Sequence, residues 1–193
     1  SIHLSMKSPL LFSLFLLFSG ALAAQDVSLQ EVWRSSGHIT CESVLFDADG
    51  QRLFVSNIEG KPTDKDGKGS IDILGTDGTV IQKNWVSGLD APKGSAILDG
   101  KFYVTNIDEL VEIDLASGKI LKHYRVEGAQ FLNDVDAGNG KVYFTDMSTG
   151  KMHVLENGEV RTLLTEREGI NGVRMGRDGW VYFLDNGGVH MMY

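Results

Sequence analysis

The sequence has one cysteine and three prolines among its 193 residues. A lone thiol, Cys41, excludes an internal disulfide. It reads as a small packed hydrophobe rather than a reactive thiol. With no second cysteine and no histidine pair at ligand spacing, no structural zinc site is visible. Basic runs are missing too: 18 Lys and Arg stand against 26 Asp and Glu, for a formal net charge of -8. That balance argues against a nucleic-acid surface and names no other partner. GxxxxGK[ST] and GxSxG do not occur, DGKGS being too short for a phosphate loop. No stretch has helical periodicity, and the one long apolar run, PLLFSLFLLF, is too short for a comfortable membrane span.

That run follows Met6-Lys7 and precedes SGALAAQD. A basic start, a short apolar stretch and small residues at Ala21-Leu22-Ala23 read as a secretory signal peptide, with residues 1–23 and the upstream residues removed. The mature chain, 24–193, is then expected to be periplasmic or secreted, with no membrane span.

What the sequence does have is turns, with 23 glycines. One series is Asp49-Gly50, Asp99-Gly100, Asn139-Gly140 and Asp178-Gly179; a second is Asp77-Gly78, Ser117-Gly118 and Asn157-Gly158. Such pairs suit tight hairpins because both central residues of a type I′ turn have positive φ. Strand-like runs flank them. SVLFD, GSAIL, DVDA and GVRM precede the first series; RLFVSN, KFYVTN, KVYFTD and WVYFLD follow it. Strands repeating in groups of four every 40 residues or so predict an all-β fold built of β-propeller blades. The predicted blades are 41–90, 91–130 and 131–169, with a fourth from Ile170 to Tyr193 holding about two strands. VSLQEVW, 27–33, is strand-like and could close a ring as an outer strand. The loop EGKPTDKDGKGS in the first blade reads as solvated and polar, since it lacks the full donor set of an EF-hand. Three and a half blades cannot close, so the sequence is expected to be an inactive fragment with an exposed strand edge.

The first strand of a blade lines the central channel. Glu42, Lys93, Asn133 and Asn171 recur near its start at an equivalent distance before the first-series turn. Glu42, Asn133 and Asn171 present oxygens, a donor set suited to one divalent ion such as Ca²⁺, Mg²⁺, Mn²⁺ or Zn²⁺. Any one of them could instead cap a turn. Lys93, after Pro92, reads equally as a cation for an anionic substrate and as a solvated surface lysine. His38, His123, His153 and His190 share no repeat phase and read as surface or core residues. Trp33, Trp85 and Trp180 are expected to pack between blades.

CESVLFDADGQRLFVSNI, FLNDVDAGNGKVYFTD and INGVRMGRDGWVYFLD resemble the SMP-30/gluconolactonase/LRE (regucalcin-like) family over roughly residues 30–193. The resemblance implies a six-bladed β-propeller, incomplete here, with one divalent metal in its channel. It implies metal ligands at Glu42, Asn133 and Asn171, with Asn133 also reaching substrate. The family's Asp ligand and general base would fall beyond Tyr193, leaving no catalytic residue to name. The chain departs from the family at Ser43-Val44, where Gly-Pro is usual, and at Phe131-Leu132, where a substrate-contacting Arg is usual. Ile170 replaces a Pro. Two functions follow: metal-dependent hydrolysis of a sugar lactone or related ester, or a non-catalytic extracytoplasmic propeller that binds a small molecule or protein.

Overall fold

A computed structural model describes residues 29–193. The signal-peptide reading at 1–23, and Val27 and Ser28 of the outer-strand reading, lie outside the described residues. The chain divides into two compact units after Val32. In the first, residues 29–32 form no regular structure, and neither does Trp33 at the start of the second. The described part of 27–33 is therefore not a strand, contrary to expectation. Among the described residues no helix is long and apolar enough to cross a membrane.

The second unit is all strand and turn. Its first sheet contains β1 (Cys41–Asp47), β2 (Arg52–Asn57), β3 (Gly69–Gly75) and β4 (Val80–Leu89). The second contains β5 (Pro92–Leu98), β6 (Lys101–Asn106), β7 (Glu109–Asp114) and β8 (Ile120–Arg125). The third contains β9 (Leu132–Gly138), β10 (Lys141–Asp146), β11 (Lys151–Glu156) and β12 (Glu159–Leu164). The fourth contains β13 (Val173–Met175), β14 (Val181–Asp185) and β15 (Gly188–Met192). Each sheet is an antiparallel meander in sequence order. Three four-stranded blades therefore fall within the predicted limits. The fourth has three strands rather than two, because Asn186-Gly187 turns the chain back into GVHMM.

Turn chemistry sets the hairpins. Asp99-Gly100, Asn139-Gly140 and Asn157-Gly158 have positive φ at both residues, as type I′ requires. Asp49-Gly50 differs: the left-handed residue there is Gln51, in a longer turn. There the Asp47 carboxylate accepts from the Gly50 amide and from Arg52 Nε.

Alternation along each second strand builds the inter-sheet cores. Phe102 and Val104 of β6 face the first sheet, packing with Phe54, Ile71 and Trp85. Tyr103 faces the other way, into a core with Val135, Val142 and Phe144 of the third sheet. Val142 and Phe144 repeat the backward direction; Tyr143 joins Ile170, Val173 and Phe183 of the fourth sheet. Each buried side chain of this size is worth about 1.5–3 kcal/mol, so these layers hold successive sheets together. Trp85 packs between the first two sheets as expected, 4.8 Å from Phe54 and 5.5 Å from Phe102. The other tryptophans do not. Trp33 lies over the β3–β4 turn and donates to Thr76 O, and Trp180 meets Tyr193 within its own sheet.

Candidate functional site

The inner strands, β1, β5 and β9, share one irregularity. The ladder of β1 with β2 shifts register between Cys41 and Ser43, at Glu42. That of β5 with β6 shifts between Pro92 and Ser95, at Lys93-Gly94. That of β9 with β10 shifts across Asn133-Asp134. Asn171-Gly172 stands just outside β13, held by Asn171 N donating to Leu184 O and Leu184 N donating to Gly172 O. A bulge frees a residue from regular pairing and re-aims its side chain. The polar positions predicted from repeat phase are thus the positions where the inner strands break their pairing.

A second device locks these residues. Ser56 Oγ donates to Lys93 O at 2.8 Å, Thr105 Oγ1 to Asn133 O at 2.5 Å, and Thr145 Oγ1 to Asn171 O at 2.6 Å. Each hydroxyl lies one residue before the end of a second strand, and each carbonyl belongs to the candidate residue of the next sheet. The strand-final residues do related work. Asn106 Oδ1 accepts from the Asp90 and Ala91 amides, and the Asp146 carboxylate from those of Gln130 and Phe131. They fix the strand arriving from the preceding sheet. Gly94 lets two inner strands touch: a Cβ there would lie 2.8 Å from Asn133 O and 2.9 Å from Asp134 Cα.

The side chains meet as follows. Asn133 Nδ2 donates to Asn171 Oδ1 at 2.9 Å, joining the amides of the third and fourth sheets. Glu42 is exposed overall. Nevertheless, partial desolvation of its carboxyl pushes its pKa up; the Asp134 charge adds to this and Lys93 opposes it. Burial likewise raises Asp134, with Asp136 adding to it. Two carboxylates from different sheets therefore sense one another, with Lys93 nearby. The sequence places Asp134 directly after Asn133 but assigns it no role in the site.

Lys93 is not the solvated lysine that its charge allowed: it is 1% exposed. Its Nζ donates to Pro62 O and Ala91 O, both at 3.0 Å, and lies 4.5 Å from the centre of the Phe131 ring. Burial lowers its pKa to about 8, against the attraction of Glu42. Pro62 belongs to the EGKPTDKDGKGS loop, so that loop is tied to the site. Its carboxylates serve turns: Asp64 accepts from the Lys61 amide and Asp66 from that of Lys68. Cys41 corrects the sequence reading as well: it is exposed, on an inner strand whose outer face is open.

Among the described residues no three His, Cys, Asp or Glu side chains gather as a metal cluster. The candidate set has a different make-up, with amides supplying two of its three donors. Its electrostatics suit a cation, because a divalent ion would offset the desolvation, and the neighbouring carboxylate charge, that raise Glu42 and Asp134.

No family model matches the chain, and no curated protein matches it. Solved structures do match. Streptogramin B lyase superposes with a TM-score of 0.57 at 18% identity, over 77% of this chain and 49% of that one. Kuenenia stuttgartiensis hydrazine synthase gives 0.61 at 17%, over 86% and 53%. BamB from Moraxella catarrhalis gives 0.57 at 11%, over 79% and 43%. The chain has a β-propeller fold. It spans about half the length of the structures it matches. At these identities the likeness concerns the fold alone.

Proposed function

We propose that this chain is an extracytoplasmic propeller of the SMP-30/gluconolactonase/LRE kind, its domain running from residue 24 to 193. The proposed activity is divalent-metal-dependent hydrolysis of a sugar lactone or related ester. The observation that carries this reading is the convergence of Glu42, Lys93, Asn133 and Asn171 at the broken ends of successive inner strands. Glu42 and the two amide oxygens would hold the ion. Bound there, it would supply Lewis-acid polarisation of the lactone carbonyl. Asn133 would share its amide between ion and substrate. Lys93 adds a fixed positive charge that favours an anionic substrate or the carboxylate product. Phe131 beneath the ammonium gives the mouth an apolar wall, while Leu132 packs in the core behind it.

That wall also favours a second reading, a non-catalytic propeller binding a small molecule or protein, because it occupies the place of the family's substrate-contacting Arg.

Calorimetric titration with Ca²⁺, Zn²⁺, Mg²⁺ and Mn²⁺ separates the outcomes. One ion should bind per chain, and Glu42→Gln should weaken it about tenfold or more, a loss of about 1.4 kcal/mol. A full-length relative assayed on a lactone panel should lose turnover in EDTA. Metal binding that ignores Glu42→Gln, or turnover that ignores EDTA, defeats the enzymatic reading; a tight ligand without turnover favours the second.

A further inference from the structure

The segment leading into β1 sets two polar side chains in line with a third from β3. Ser35 Oγ lies 3.0 Å from His38 Nε2, and His38 Nδ1 lies 2.8 Å from Asp72 Oδ2. Asp72 sits within β3, paired with Val55, and is 1% exposed. Burial pushes its carboxyl up, but hydrogen bonds from Lys83, the Asn84 amide and His38 outweigh that and hold it below the ordinary range. It is therefore a carboxylate, which can only accept, so His38 Nδ1 carries the proton. Nε2 keeps a lone pair and accepts from the Ser35 hydroxyl. This is the tautomer that a general base beside a nucleophile requires. Ser35 and His38 both line a cavity of about 330 Å³ whose apolar walls include Trp33, Val44, Leu53 and Leu74.

We propose that Ser35, His38 and Asp72 form a nucleophile, base and orienting carboxylate that accept the acyl group of an ester with an apolar acyl chain. Glu42 lines the same cavity, but the reaction uses none of the candidate metal ligands. Ser35 Oγ attacks the ester carbonyl carbon, and its proton passes to His38 Nε2. The carbon–oxygen bond to the alcohol breaks, and the departing oxygen takes that proton. Water then attacks the acyl-serine, giving one proton to His38, which returns it to Ser35 Oγ as the carboxylic acid leaves. Lys83 restrains the step. Its Nζ shares Asp72 Oδ2 at 2.8 Å and lies 3.1 Å from His38 Nδ1, so it competes with His38 for the orienting carboxylate.

The test is phosphonylation of the whole chain by an alkyl fluorophosphonate in EDTA, followed by peptide mapping. Cys41, which lines the same cavity, is alkylated first. The expected result is a single adduct on Ser35, slowed about a hundredfold or more in His38→Gln and accelerated several-fold in Lys83→Met. No adduct on Ser35, or an unchanged rate in His38→Gln, overturns the proposal. Should His38→Gln lose its fold by circular dichroism, Lys83→Met decides: a rate equal to or below the unsubstituted chain overturns it. Because EDTA is present throughout, neither result depends on the metal site.

Discussion

Lys93 is held by two backbone carbonyls and the face of an aromatic ring, with Glu42 as its nearest opposing charge. Two consequences can be measured. Removing the ammonium while keeping the chain length, in Lys93→Met, takes away the attraction that lowers Glu42. A carboxyl NMR titration should then find the Glu42 pKa higher than in the unsubstituted chain. The second consequence concerns stability. The folded-state pKa of Lys93 is about 8, below its ordinary 10.5, so the folded chain favours the neutral amine. The resulting contribution is full above the ordinary value and is lost as pH falls through about 8. The melting temperature of the unsubstituted chain relative to Lys93→Met should therefore rise between pH 8 and 10; a flat difference would contradict this. None of it was legible in LDAPKG. Sequence gives a lysine its charge but not the loop carbonyl, 31 residues earlier, that replaces its water. The same limit hid Ser35, His38 and Asp72, which no repeat phase or local spacing connects.

At the scale of the element, the hydroxyl of each second strand and the carbonyl of the next inner strand form a repeated lock. Its sequence signal was in plain view as the pairs Ser56-Asn57, Thr105-Asn106 and Thr145-Asp146. Leu184 breaks the series in the fourth sheet and is 46% exposed. Thr105→Val keeps the side-chain shape and leaves the buried Asn133 carbonyl without its donor. Chemical denaturation should show a loss of about 1–3 kcal/mol, and any metal affinity at Asn133 should fall with it although Thr105 touches no ligand. An unchanged midpoint would mean that the bond to Asn133 O contributes nothing net. Blade limits and candidate positions were readable because turns and strand periodicity are local properties of the chain. The bulges were not, since they depend on how a strand pairs with its neighbour.

On the scale of the whole molecule, the sheets meet in series and the two end sheets present apolar side chains to solvent. Val44 and Phe46 on β1 are 64 and 52% exposed, and Val189 and Met191 on β15 are 79 and 54% exposed. Unpartnered apolar strand faces promote association. The chain is expected to bind a hydrophobic dye when dilute and to self-associate when concentrated, with Phe46→Ser and Val189→Ser reducing both effects in light scattering. Monodisperse behaviour with no dye signal would show that these faces are not adhesive.

The links from Asn106 and Asp146 back to the strand that arrives from the sheet before run only between neighbours in sequence. Among the described residues, these links need no distant partner in order to seat a sheet. Chain synthesis could therefore add one sheet at a time onto a finished predecessor, so that the first two sheets would dock once Arg125 has cleared the ribosome.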